Sequence, residues 1–513
     1  MIRSRIGRAA VVLAAAALVA RADTSAFTIV DDSAMDAGVA AARAEFLAIA
    51  PFDRLDATIL VEQPDGTWKR GSFNPDSVAY PASCVKLAFL AAAMRYQTDN
   101  AMAFDALDAS LTPMITVSSN VATGEVVDAI TGTTNLPGVN STASPQWPAW
   151  YAARLYTEDY LDARGLLGNQ VIVNKTYPTN SGGSPSGAEG VLISVEGANQ
   201  MQPRLSASLM LEVVGGAIEA DTGLAGSTGY MRSLLGRDRF SDYSSIGFGL
   251  PPGSTIENKI GIAFDTLEDI AHFTLPNGTR CIVAAYSNGW DRTQPLPYDA
   301  APLGTFAEIL LDELGLTAGN PPKIVVDSAD PGVVYAGAWS TGSAQPDKFG
   351  PSYRFASGGG GANTATFPLG VPSAGLYEVM AWWPAASNRA TNTPFVVAHA
   401  GGTTEVRVDQ TVWGGRWVKL GDFEFPAGGG AVTVSDDATG SALVLADAVK
   451  ATAWPTACLA DCDGSGSLNV DDIDCFVAAF LASDLSGADC DASGSLNIDD
   501  VDCFVQGFLA GCP

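Results

Sequence analysis

The stretch Tyr80-Pro81-Ala82-Ser83-Cys84-Val85-Lys86 constrains this chain more than any other. It runs directly into an apolar, alanine-rich segment, Leu87 to Met94, that reads as a helix. Residues three apart on a helix project from one face, so Ser83 and Lys86 become neighbours once that helix forms. A serine hydroxyl is a poor nucleophile until a base removes its proton. A lysine becomes that base when burial or nearby positive charge lowers its pKa. Alone, S-x-x-K carries little information, because the spacing recurs on many helix starts.

Two later segments add to it. Leu111 to Thr123 carries a polar Ser118-Ser119-Asn120 between apolar residues. Glu257-Asn258-Lys259-Ile260-Gly261-Ile262-Ala263 reads as a strand whose lysine lies on a sheet edge, with glycine permitting close backbone approach. S-x-x-K, then S-x-N, then K-x-G is the motif order of the penicillin-recognising serine hydrolases. Residues 31–315 resemble a class A β-lactamase-like domain, of the α/β (α+β) β-lactamase/DD-peptidase fold. Ile59-Leu60-Val61 with Trp68-Lys69-Arg70-Gly71 resembles the family's opening hairpin, and Thr279 to Gly289 its last strand.

The resemblance implies roles. Ser83 is the acylated nucleophile and Lys86 its general base. Ser118 relays a proton to the leaving group, and Asn120 orients substrate and Lys86. Lys259 holds Ser118 and supplies positive charge. Ile260, Gly261 and Ile262 line the substrate, and the N–H groups of Ser83 and Ile262 meet the oxyanion, whose charge develops only in the transition state. Two positions depart from the family. Ile260 stands where a Thr or Ser hydroxyl helps hold a substrate carboxylate. The best match to the E-x-x-L-N loop that activates the deacylating water is Gln170-Val171-Ile172-Val173-Asn174. An amide can hold a water but cannot take its proton. A histidine triad is disfavoured: His272 lies in a strand pattern, His399 lies in another domain, and no G-x-S-x-G occurs.

At 513 residues the chain is too long for one ordinary domain. Its first 22 residues read as a secretory signal: Arg3, Arg5 and Arg8, an apolar run from Ala9 to Ala20, and a small-x-small site at Ala20-Arg21-Ala22. The expected location is secreted, periplasmic or cell-surface, with no membrane span after cleavage. A formal net charge of −28 disfavours nucleic acid, since no basic stripe exists to neutralise phosphates. Asp31, Asp32 and Ser33 are set to cap a helix reaching about Ala48, and Pro64-Asp65-Gly66 to turn a hairpin. The Gly-, Pro-, Ser-, Thr- and Asn-rich stretch from Thr131 to Ser194 is expected to form a loop-rich wall of the cleft.

Residues 316–322 read as a linker, stiffened by Asn320-Pro321-Pro322. Residues 323–455 show short alternating runs and many glycines, the pattern of a β-sandwich. Tyr377 to Pro384, Ser387 to Thr391, Asn392 to Gly401 and Ala446-Asp447-Ala448-Val449 resemble the golvesin/xanthan-lyase C-terminal domain, which implies an accessory, glycan-binding module. Trp339, Trp382, Trp383, Trp413 and Trp417 are either sugar-stacking platforms or sandwich core, with core the more frequent fate of a tryptophan.

Residues 456–513 hold a duplication. Asp461 to Asp472 matches Asp489 to Asp500, twenty-eight positions later. Each copy has oxygen ligands and a mid-loop glycine at EF-hand spacing: Asp461, Asp463, Ser465, Ser467, Asn469 and Asp472, then Asp489, Asp491, Ser493, Ser495, Asn497 and Asp500. The pattern predicts two Ca2+ sites in a small α-helical EF-hand-type module. It resembles a dockerin, which implies a cohesin-like or cell-surface docking partner. Cysteines at matching places in both copies suggest stapling of a module too small for a large core. The six tail cysteines allow fifteen pairings, and Cys84 and Cys281 are either bridged or free.

Together these features predict an exported serine hydrolase acting through a Ser83 acyl-enzyme on a β-lactam or related amide or ester. The substrate is then a small molecule or peptidoglycan-derived. The alternatives are a D-Ala-D-Ala carboxypeptidase-like peptidoglycan enzyme, or a non-catalytic binding or scaffold protein on a degenerate hydrolase fold.

Overall fold

The computed structural model describes residues 26–50, 52–174, 185–290, 295, 298–440, 442–455, 462, 470–484, 488, 490 and 495–510. The expected signal at 1–22 lies outside the described residues. Seven strands build the first domain's sheet: β1 (Ile29–Asp31), β2 (Arg54–Glu62), β3 (Trp68–Phe73), β4 (Gly236–Arg237), β5 (Thr255–Ala263), β6 (Thr266–Thr274) and β7 (Arg280–Asn288). Their order is β1-β3-β2-β7-β6-β5-β4, and only β1 with β3 is parallel. The hairpin at Pro64-Asp65-Gly66 falls where turn chemistry placed it, and Pro276-Asn277-Gly278 turns β6 into β7.

The helices of this domain are α1 (Ser33–Ile49), α2 (Lys86–Asp99), α3 (Asp108–Thr116), α4 (Asn120–Thr131), α5 (Trp147–Arg154), α6 (Tyr156–Ala163), α7 (Gly187–Glu196), α8 (Pro203–Val214), α9 (Ala217–Thr222), α10 (Ser227–Leu235) and α11 (Pro302–Glu313). Asp32 starts α1, its carboxylate accepting from Ala34 N and Met35 N. The stripe of Val39, Ala42 and Phe46 then joins Phe306 and Leu310 of α11 on one face of the sheet. The other face carries α2 and α8. Both are apolar nearly all round, because both are enclosed on all sides. Each large side chain buried this way stabilises the fold by about 1.5–3 kcal/mol.

The loop-rich wall expected from 131 to 194 needs correction, since α5, α6 and the start of α7 lie within it. Average composition concealed local helix signals there. Pro148 sits in the first turn of α5, where its missing N–H costs nothing, and Trp147 and Trp150 are buried beneath it. Helices α8 and α9 are separated at Gly215-Gly216, with Gly216 at φ +85°.

Residues 323–453 form the β-sandwich, in sheets of five, four and three strands. Trp383 is buried in its core, while Trp382 and Trp417 are buried in a cluster that takes in Ile49 and Phe240 of the first domain. Trp413 instead faces the first domain, donating its Nε1 to Pro295 O at 2.7 Å and packing on Tyr298. Trp339 stays partly exposed, with Nε1 donated to Ala336 O and Thr364 O. In the tail, α12 (Val470–Leu481) and α13 (Ile498–Ala510) stack through Phe476 and Phe504, with ring centroids 4.1 Å apart. Disulfides join Cys462 to Cys475 and Cys490 to Cys503, so each repeat is stapled to its own helix. Cys84 and Cys281 are buried free thiols. Among the described residues no helix is long and apolar enough to cross a membrane.

Buried ion pairs join the two large domains. Arg239 Nη2 meets Glu378 Oε2 at 2.6 Å, and Lys450 Nζ meets Glu308 Oε2 at 2.7 Å. Removing one partner of such a pair strands the other charge. Arg239→Met leaves Glu378 with Lys419 at 3.3 Å. Urea unfolding should then show a loss of about 2–3 kcal/mol; an unchanged midpoint would mean that this pair does not hold the seam.

Candidate active site

Three elements converge on one ammonium. Ser83 lies in a 3-10 turn, Ala82–Val85, and Lys86 opens α2 directly after it. Side chains at i and i+3 eclipse in a 3-10 turn, which brings Lys86 Nζ to 3.0 Å from Ser83 Oγ. Lys86 Nζ also reaches Ser118 O at 2.5 Å, Ser118 Oγ at 3.0 Å and Asn120 Oδ1 at 2.9 Å. From the sheet, Lys259 Nζ contacts Ser118 Oγ at 2.9 Å and Ile260 O at 2.9 Å. Ser118 Oγ therefore bridges two amines. Ser118 itself sits at φ +56°, a conformation that costs a non-glycine residue energy and that its surroundings must impose. Ser119 helps impose it by capping α4, with Oγ accepting from Ala122 N, while its own N–H goes to Pro113 O.

Burial separates the groups by role. Lys86 and Lys259 are fully enclosed, whereas Ser83, Ser118 and Asn120 are half-buried. Among the described residues neither lysine forms an ion pair. Burial, followed by the charge of Lys259, lowers Lys86 to about 6. Burial also lowers Lys259, to about 8, and Arg237 adds to the effect. Arg237 is held nearby by carbonyls, with Nη2 donating to Ile115 O and Nη1 to Leu234 O.

The edge strand and the serine turn touch because Gly261 has no side chain. A Cβ there would lie 2.5 Å from Pro81 O and 3.1 Å from Cys84 Sγ. Cys84 Sγ donates to Lys259 O at 3.1 Å and fastens the same seam. Strand β4 pairs only Ile256 and Glu257, so β5 is the open sheet edge from Asn258 onward, as the sequence suggested for Lys259. Ile260 belongs to the core on the far face with α1 and α11, while Ile262 is partly exposed further along the edge.

The Gln170 amide is committed elsewhere. Its Nε2 donates to Leu166 O at 2.7 Å, and its Oε1 accepts from Gln202 N at 2.9 Å. The water-holding role allowed for it from sequence is thereby replaced by a structural clasp. Asn174 Nδ2 bonds Gly197 O at 2.6 Å. His272 Nδ1 lies 2.6 Å from Glu257 Oε2, and His399 bonds Thr404 in the sandwich, so both histidines have structural partners. Of the expected calcium ligands, Asp461, Asp463, Ser465, Ser467, Asn469, Asp489, Asp491 and Ser493 lie outside the described residues. Asp472 and Asp500 are buried in the first turns of α12 and α13, and Asp500 Oδ2 accepts from Asn497 N at 2.8 Å. Ser495 is exposed. Among the described residues no group of three or more His, Cys, Asp or Glu side chains is gathered as a metal cluster.

Two features went unread in the sequence. Phe264, at the tip between β5 and β6, is 72% exposed with φ +53°, and its ring lies 6.1 Å from that of Tyr80. Val117 and Val121 are also exposed, beside Ser118 and Asn120. Glu268 pairs with Gly261 across the β5–β6 ladder, fully buried, and burial pushes its carboxyl well above the usual range. An acidic pair, Glu268-Asp269, inside an apolar strand was the available signal.

Two family profiles match separate parts of the chain. The profile described as Beta-lactamase enzyme family matches residues 106–312, starting downstream of Ser83 and Lys86. The Golvesin C-terminal domain profile matches residues 324–453. Xanthan lyase of Bacillus sp. (strain GL1) is 45% identical over 139 residues, 26% of this chain and 15% of that protein. Among solved structures, a β-lactamase from Sphaerobacter thermophilus DSM 20745 is 19% identical, covers 57% of this chain and 100% of its own, and has a TM-score of 0.38. Paenibacillus xanthan lyase is 31% identical, covers 34% of this chain and 16% of its own, and has a TM-score of 0.26. These structural overlaps are too partial to bear on the site. Golvesin of Dictyostelium discoideum is 35% identical over 409 residues, which span 79% of this chain and 69% of Golvesin. The chain therefore belongs to the Golvesin family, as a member that joins a β-lactamase-family domain to a Golvesin C-terminal domain.

Proposed function

We propose that the first domain is an exported serine hydrolase that acts through a Ser83 acyl-enzyme on a β-lactam or a related amide or ester. The observation that supports this most is a buried amine, without a carboxylate partner, at 3.0 Å from a half-buried hydroxyl. Neutral Lys86 has two hydrogens and one lone pair. Ser118 O and Asn120 Oδ1 take the hydrogens, and the lone pair faces the Ser83 hydroxyl. As Ser83 Oγ bonds to the carbonyl carbon, its proton passes to Lys86. As the bond from the carbonyl carbon to the leaving nitrogen or oxygen breaks, Ser118 Oγ gives its proton to that atom and takes in its place the one held by Lys86. Lys259 keeps positive charge beside the developing anion.

With Gln170 committed to backbone groups, hydrolysis of the acyl-enzyme lacks an evident general base, and the intermediate should be long-lived. Ile260 supplies no hydroxyl for an anionic substrate, while Tyr80 and Phe264 offer an aromatic rim. Both favour an apolar ester or amide over a D-alanine terminus. A non-catalytic scaffold is the rival reading, favoured by Ile260. For the tail we propose two bound Ca2+ ions and docking to a cell-surface or cohesin-like partner, on the duplicated loop spacing.

Incubation with penicillin G or a p-nitrophenyl ester, followed by intact-mass and peptide analysis, should place one adduct on Ser83, absent in Ser83→Ala. Lys86→Ala should slow its formation by about 10²–10⁴-fold. An adduct-free protein with both reagents would favour the scaffold. The acylation rate should rise with pH through about 6, as Lys86 loses its proton, and fall above about 8, as Lys259 loses its charge. A flat profile from pH 5 to 9 would remove Lys86 as the base. Gly261→Ala should force β5 away from Pro81 and reduce acylation by about tenfold or more, with most of the folding free energy retained; unchanged acylation would show that this contact does not position the site.

A further inference from the structure

Where the sandwich sheets meet, two carboxyls abut the same short stretch of chain. Asp327 ends the strand Lys323–Asp327, and Asp447 lies between the strands Leu443–Ala446 and Ala448–Ala453. Ala448 pairs with Asp327, and Ser328 N donates to Asp447 O at 2.6 Å, so the two acids are adjacent across the ladder. Phe349 N donates to Asp447 Oδ2 at 3.0 Å. At the next residue, Gly350 (φ +56°), a Cβ would lie 2.4 Å from Asp327 Oδ2. Ala329 N donates to Asp327 Oδ1 at 2.6 Å.

Each acid then has one oxygen left over. Asp447 Oδ1 and Asp327 Oδ2 are both buried and without a hydrogen-bond partner, and Asp447 is only 2% exposed. The surroundings add negative charge. Asp330 Oδ2 accepts from Asp327 N, and Asp347 Oδ2 accepts from Ala385 N. Lys348 acts on Asp447 only at a distance, since its ammonium donates to Gln345 O. Burial, then Asp327 and Asp347, pushes the Asp447 carboxyl well up. A buried anion pair of this kind must be neutralised by a proton or by a cation. A cation seated beside Phe349 and Gly350, where both acids abut, would serve the two leftover oxygens.

We infer that Asp327 and Asp447 supply the side-chain ligands of a divalent-cation site of the calcium class, seated between the first and last strands of the sandwich. The donor set is carboxylate oxygen without sulfur or imidazole, which suits Ca2+ rather than Zn2+. Two side chains are fewer than a dedicated cage gathers, so carbonyls and water would complete the shell, as in the weaker sites of extracellular modules. This ion would tie the closing strand to the opening one, independently of the tail loops and of the chemistry at Ser83.

Terbium luminescence excited through tryptophan separates this site from the tail. Phe349, whose N–H meets Asp447, packs on Trp382 and Trp417 with centroids 5.6 and 5.2 Å away. No tryptophan follows Trp454. Chelator-treated full-length protein titrated with Tb3+ should emit, and Ca2+ should quench the emission by displacement. Asp447→Asn should cut the emission about tenfold or more, while the Asp472→Ala/Asp500→Ala double variant should keep it. Circular dichroism checks folding, and Asp327→Asn serves if Asp447→Asn does not fold. Calcium should also raise the melting temperature of the double variant. Equal emission from wild type and Asp447→Asn, or its loss in the double variant, would overturn the site. So would a double variant indifferent to calcium and stabilised by acid, the behaviour of two acids sharing a proton.

Discussion

The structure turns on keeping Lys86 out of water. An isolated ammonium is costly to bury, and the cost is met here by withdrawing the proton and by offering oxygens from three separate elements. The 3-10 turn supplies Ser83 Oγ, the turn before α4 supplies Ser118 O and Oγ, and the start of α4 supplies Asn120 Oδ1, while the sheet edge adds the nearby charge of Lys259. Ser118 holds a left-handed backbone conformation only because α3, α4 and two amines surround it.

Much of this was legible in the chain. Ser83 and Lys86 are close because of local geometry, so their contact follows from spacing. The strand-like run at 257–263 and the turn residues at 64–66 marked the sheet. The helical lobe was less legible. Its glycines and prolines read as loop, yet Pro148 starts a helix, and buried tryptophans anchor it. The fate of Gln170 was hidden, because its partners, Leu166 O and Gln202 N, are backbone groups that leave no trace in side-chain identity. Pairing among the tail cysteines was likewise open until the helices placed Cys462 beside Cys475.

The second domain shows why composition alone is a poor guide to ligand binding. A tryptophan-rich sandwich invites a sugar-stacking interpretation. Most of its tryptophans instead fill the core or, as with Trp413, the contact with the first domain. Arg239 and Glu378 cross that contact as a buried pair with Lys419 alongside. The sandwich is thus a structural extension of the first domain, set against Arg239 and against Glu308 of α11.

One property of β5 reaches beyond the chemistry. Lys259 and Gly261 face the serine turn, while Ile256 and Ile260 fill the opposite core. A misalignment of one position during folding would turn the lysine into hydrocarbon and lift the isoleucines into solvent. Such an error is rejected by packing energy before any substrate is met. Mature molecules should therefore be either in register or misfolded at this strand, with few well-folded copies in a shifted register between them.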